Sequence, residues 1–115
     1  MASTKVDVVV AGGGPAGSTC ALVLARAGLA VTLVERANFP RRKVCGEYLN
    51  SGAVAALDRI GVLDDVRAQA FELHGVRLIP PRAPAVELPF AHGTLACARE
   101  KLDAILLRAA VHAGQ

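Results

Sequence analysis

Apolar and polar positions fall into distinct patterns along this chain, and each predicts an element. Val8, Val9, Val10 and Ala11 form an uninterrupted apolar run, the pattern of a strand covered on both faces. From Pro15 to Ala27 the period lengthens to that of a helix, with Gly17, Ala21 and Ala25 recurring every four residues. That stripe of small residues lets the helix lie close against a sheet, and Gly28 stands where a C-terminal cap would end it. Val31, Thr32, Leu33 and Val34 then predict a second buried strand, parallel to the first and delivering Glu35 to its C-terminal end. Further on, Ser51 can cap a helix carrying Val54, Leu57 and Ile60 on one face, with Gly61 as its stop, and a short helix over 62–69 follows. Glu72–Pro80 and Ala85–Phe90 read as a β-hairpin around the proline-rich segment 80–84. A short strand at Leu95-Ala96-Cys97 leads into a last helix, where Leu102, Ile105, Leu106, Ala109 and Ala110 share one face and Gly114 can end it. The alternation of strand and helix predicts an α/β chain.

Between the first strand and first helix lies Gly12-x-Gly14-x-x-Gly17. Gly12 lets the chain leave the strand through a turn that a side chain would obstruct, and Gly14 lets backbone come close to a pyrophosphate. Pro15 suits the first helical turn, and with Ala16 and Gly17 it leaves the free N–H groups and the positive helix end facing an anion. Glu35, eighteen residues after Gly17, can accept hydrogen bonds from both hydroxyls of an adenosine ribose. The same carboxylate would repel a 2′-phosphate, which argues against NADP in this pocket. Strand, glycine turn, helix and acid together give the plan of a dinucleotide site.

Composition narrows the reading. A chain of 115 residues has room for one small domain, and 53% hydrophobic residues with a mean hydropathy of +0.41 suggest a core that expects more partners than this chain supplies. With no Trp, one Tyr and three Phe, a stacking surface for nucleic-acid bases is not expected. The net charge of +3 comes largely from Arg36, Arg41, Arg42 and Lys43, for which an anionic cofactor is a sufficient partner. Three cysteines without a C-x-x-C pair or metal-ligand spacing predict reduced thiols in a cytoplasmic protein, with Cys20 packed within the first helix and no metal site. The first five residues lack the basic segment and cleavage site of a signal peptide, and no apolar run reaches membrane-spanning length.

The loop Ala37–Glu47, ANFPRRKVCGE, combines breakers with positive charge. Crossing the C-terminal edge of the sheet, it would bring Arg41, Arg42 and Lys43 near the phosphates, while Cys45-Gly46 could let backbone approach a flat ring system. A solvated surface loop is the competing reading. Arg99 opens the last helix, an odd place for a cation beside the helix dipole; an anion held nearby or simple solvation would each explain it. His74 and His92 are isolated and read as surface residues. No strand follows the last helix, so the chain reads as the N-terminal part of a longer protein or a truncated reading frame.

Taken together, VVVAGGGPAGSTCALVLARAGLAVTLVER, FPRRKVCGEYLNSGAVAALDRIGV and AREKLDAILLRAAVHAG resemble the N-terminal segment of FAD-dependent oxidoreductases. The resemblance is to the geranylgeranyl reductase family, group A flavin monooxygenases and flavin-dependent halogenases. It implies a Rossmann-like βαβ FAD-binding domain of the glutathione reductase type over 1–115, incomplete, with a β-hairpin insertion and a C-terminal helix. It further implies that Gly12, Gly14, Pro15, Ala16 and Gly17 hold the FAD pyrophosphate and Glu35 the adenosine ribose. Lys43, Cys45 and Gly46 would line the flavin, with Arg36 and Arg42 as basic neighbours of the cofactor and Arg99 in contact with FAD. Where many reductases carry a second glycine after Cys-Gly, this chain has Glu47 and Tyr48, and the downstream Gly-Asp signature is absent. The full-length enzyme would take hydride from NAD(P)H onto the flavin, then reduce a C=C bond, hydroxylate or halogenate a small or lipid-like substrate. No residue here reads as catalytic. Two other readings stand beside this one: an NAD-binding dehydrogenase segment, and an inactive truncated nucleotide-binding module.

Overall fold

A computed structural model describes residues 5–115. Its first unit is a βαβ crossover: β1 (Val8–Ala11), α1 (Pro15–Arg26) and β2 (Val31–Val34). The strands run parallel, with Val8 opposite Val31 and Ala11 opposite Val34, so both C-terminal ends reach the same edge. Pro15 occupies the start of α1, and Gly28, at φ +89°, takes the left-handed conformation just beyond its end, as the glycine cap requires. Gly17 brings α1 against the sheet as its size predicts, while Ala21 is buried in the core beside Leu22. Two expectations change here. The strands alternate between half-buried and exposed, with Val9 and Val34 open to solvent, because helices cover only one face of this two-stranded sheet. Cys20 is exposed rather than packed, because it lies on α1 away from the buried Ala21 and Leu22.

The core is completed by the helices that follow: α2 (Ser51–Arg59), α3 (Leu63–Ala68) and α4 (Arg99–Ala113). Leu22, Val66, Leu95 and Leu106 are among its most deeply buried side chains, and α1 packs against α4 as well as against the sheet. Arg26 of α1 donates to the Ile60 carbonyl at 2.6 Å, tying the first unit to the end of α2. The α2 cap is Asn50, one residue before the expected Ser51, with its Oδ1 accepting from Ala53 N at 2.9 Å.

The hairpin is longer than its sequence pattern suggests. β4 (Phe71–Leu78) pairs antiparallel with β5 (Val86–Ala96), which runs through His92-Gly93 and absorbs most of the separate short strand expected at Leu95–Cys97. A two-residue strand, β3 (Tyr48–Leu49), pairs with the end of β5, giving the order β3-β5-β4. At the far end, Val76, Leu78, Val86 and Leu88 share an exposed face, and Arg77 pairs with Glu87 on the other. This arm extends the molecule: the radius of gyration is 17.7 Å, against about 13 Å for a compact domain near this length. Among the described residues, no helix is long and apolar enough to cross a membrane, and no cluster of ligating side chains could hold a metal.

Candidate functional site

The site forms where β1 and β2 end together. Gly12 N donates to the Val34 carbonyl at 2.7 Å, and Gly12 then turns at φ +104°, a conformation that side chains rarely allow. A Cβ on Gly17 would stand 1.8 Å from the Gly12 carbonyl oxygen, so the helix can begin this close to the strand only with glycine there. The buried Ser18 hydroxyl donates to the Gly13 carbonyl at 3.0 Å and fixes the turn from below. Gly14 caps α1 without any side-chain hydrogen bond, which leaves the first-turn N–H groups available to a ligand.

Glu35 lies beside this turn. Its two oxygens accept from Gly13 N at 3.2 Å and from Ala37 N at 3.0 Å. The Ala37 donor first, then the Gly13 donor, hold its carboxyl below the ordinary value, with partial burial opposing and the Arg41 charge assisting. The acid is thus kept ionised and oriented at the C-terminal end of β2, where its sequence position placed it.

Two arginines converge beside Gly14. Arg41, from the loop after β2, donates through Nη1 to Asp103 Oδ2 at 2.7 Å, and Arg99, at the start of α4, donates through Nε to Asp103 Oδ1 at 2.7 Å. A Cβ built on Gly14 would lie 3.9 Å from Nη2 of each arginine. Arg41 also stands 3.8 Å from Glu35 Oε1 and covers the Phe39 ring at 4.5 Å. Arg99 is held above its ordinary value, chiefly by the Asp103 bond, against partial burial and with help from the Cys45 sulfur. The cation that looked misplaced on dipole grounds is therefore paired within its own helix, at i, i+4.

The remaining expected residues lie further out. Arg42 is 93% exposed with Nε 4.0 Å from Glu100, and Arg36, Lys43, Cys45 and Gly46 are exposed. Glu47 N donates to the Cys45 sulfur at 3.3 Å, and a Cβ on Gly46 would meet nothing within 4 Å. Pro15 and Ala16 form the first turn of α1. Asp103 and Ser18 carry parts of this geometry that the sequence reading did not assign; of Arg41, Arg42 and Lys43, which it brought near the phosphates together, Arg41 is the one that comes within 4 Å of the Gly14 Cβ position. The Arg99-x-x-x-Asp103 spacing was the available signal for Asp103. As arranged, these residues can bind and orient an anion flanked by a sugar; they offer no placed nucleophile or proton donor.

Comparison with known proteins agrees with this geometry. The family described as FAD binding domain matches residues 5–114. The chain is similar to a menaquinone reductase of Mycolicibacterium smegmatis, 47% identical over 66% of this chain and 18% of that protein. It is also similar to a geranylgeranyl diphosphate reductase of Rhodobacter capsulatus, 37% identical over 96% of this chain and 27% of the relative. Among solved structures, a flavoprotein/dehydrogenase from Cytophaga hutchinsonii superimposes with a TM-score of 0.83 at 32% identity, covering 96% of this chain and 29% of that one. A flavin-dependent brominase gives 0.82 at 32% identity, covering 96% and 28%. The expected α/β, Rossmann-like FAD-binding fold is borne out, and FAD takes the place of the NAD alternative. Because one family spans nearly every residue and the same fold recurs in these solved flavoproteins, the chain belongs to the FAD binding domain family of flavin-dependent oxidoreductases, monooxygenases and halogenases.

Proposed function

We propose that this chain holds FAD with its pyrophosphate at the N-terminus of α1, between the turn Gly12–Gly17 and the guanidinium groups of Arg41 and Arg99. Glu35 would take the adenosine ribose, and the loop carrying Lys43, Cys45 and Gly46 would lie along the flavin. The observation that carries this reading is the convergence of two guanidinium Nη2 atoms at 3.9 Å from the Cβ position of Gly14, beside a helix end without a side-chain cap. The residues fit the group: backbone N–H and arginine face the anion, an ionised carboxylate faces the sugar, and glycine leaves the room between. When bound, FAD supplies the redox chemistry through its ring system, while these residues bind and orient it.

Arg41→Gln removes a charged donor worth roughly 1.5–3 kcal/mol, so FAD affinity should fall about tenfold or more. Arg42→Gln, altering an exposed side chain, should leave it nearly unchanged. Titration of each variant with FAD checks this, and an undiminished affinity in Arg41→Gln would remove Arg41 from the site.

The chain spans 18–27% of the length of the reductases it matches, so activity is proposed for a whole enzyme and not for these residues alone. Residues 1–115 act in this reading as the N-terminal part of its FAD-binding domain. In the whole enzyme, the bound flavin would supply redox chemistry between NAD(P)H and a small or lipid-like organic substrate. The three unpaired cysteines suit a reducing cytoplasm. Anaerobic addition of NADH or NADPH to the whole flavin-loaded enzyme should bleach the flavin absorbance; a flavin left oxidised by both would exclude a nicotinamide reductant.

A further inference from the structure

We propose that Asp103 is the positioning residue of the anion site, one buried carboxylate that aims two arginines from separate elements at the same point above Gly14. The inference rests on the FAD reading and deepens it. Asp103 is 1% exposed, and both of its oxygens are engaged, each by a different guanidinium at 2.7 Å. It stands on α4 between Leu102 and Ile105, two residues buried in the core, so its carboxylate projects from the packed face of that helix.

The division of donors supports this role. Arg41 gives Nη1 to Asp103 and Arg99 gives Nε, which in both cases leaves Nη2 toward Gly14. Arg41 is held from two further sides, by Phe39 beneath its plane and by Glu35 at 3.8 Å. Arg99, by contrast, is held chiefly by Asp103, with the exposed Cys45 sulfur as a weaker neighbour. Two cations so close to one point repel each other, and the buried negative charge of Asp103 behind them offsets that repulsion, with Glu35 at 3.8 Å from Arg41 on a further side. Loss of this carboxylate alone would leave two guanidinium groups without the partner they share, which is costlier than exchanging a whole buried ion pair for apolar residues.

The test uses ADP, which carries the pyrophosphate, and adenosine, which does not. Asp103→Asn should weaken ADP binding by about tenfold or more and leave adenosine binding nearly unchanged. An equal loss for both ligands would show a role in folding alone, and no loss for ADP would show that the arginines do not depend on Asp103; either result overturns the proposal. If Asp103→Asn does not fold, the comparison moves to Arg41→Gln/Arg99→Gln with and without Asp103→Asn. Equal ADP affinities in those two variants support the positioning role, and a further loss overturns it. Failure of the whole enzyme to bind either ADP or FAD would instead refute the FAD reading, before any variant is made.

Discussion

Gly17→Ala should unfold the site. In an ordinary helix position this change would add stability, because alanine is the better helix former by about 1 kcal/mol. Here the new methyl group would stand 1.8 Å from the Gly12 carbonyl oxygen and 2.9 Å from its carbon. Both are backbone atoms, so no side-chain rotation relieves the contact; β1 and α1 must move apart. Forcing a group into a closed space commonly costs about 1–3 kcal/mol, and a contact with fixed backbone belongs at or beyond the upper end. A fall in Tm of roughly 10 °C or more follows for a domain near this size. FAD binding should be lost as well, since the separation carries the helix end away from Arg41 and Arg99. Gly46→Ala is the control: its Cβ would meet nothing within 4 Å, and its Tm should stay at that of the unmodified chain. Thermal unfolding followed by circular dichroism reads both, and an unchanged Tm for Gly17→Ala would contradict the close strand-to-helix approach.

Glu35→Ala should give the largest loss of FAD affinity from a polar side chain. Two hydrogen bonds from ribose hydroxyls to a charged acceptor, at roughly 1.5 kcal/mol or more each, correspond to about a hundredfold weaker binding. The substitution also releases Gly13 N and Ala37 N, which the carboxylate now accepts, and so loosens the turn. Glu35→Gln keeps an acceptor and should lose less. The backbone donors depress the carboxyl below its unfolded value, so its contribution to stability is complete above that unfolded value and is lost as pH falls through the lower folded one. Glu35→Gln should remove that part of the acid sensitivity. Flavin fluorescence quenching measures the affinities, and an undiminished affinity in Glu35→Ala would take the ribose away from this residue.

What could be read from the chain was local. The glycine spacing, the helix between Pro15 and Gly28 and the acid after Val34 each depend on neighbours within a few residues, and each stands where the pattern put it. The open faces of β1 and β2 could not be read, because coverage of a strand is decided by elements elsewhere in the fold. β3 has two residues and no pattern of its own; it exists because Leu95 and Ala96 offer it an edge. Ala91-His92-Gly93 looks like an interruption, yet the ladder with β4 resumes at Thr94, after a bulge between Leu73 and Gly75. Of the adjacent Arg41 and Arg42, sequence could not say which turns inward. Asp103, sixty-two positions beyond Arg41, makes that choice.

The most direct test is an NMR titration of the isotope-labelled chain with FAD, following backbone amides and arginine side chains. The account predicts saturable shifts gathered at Gly12–Gly17, Glu35–Ala37 and the Nε–H groups of Arg41 and Arg99, competed away by ADP. Shifts gathered instead on the hairpin of β4 and β5 would contradict an FAD site at the N-terminus of α1.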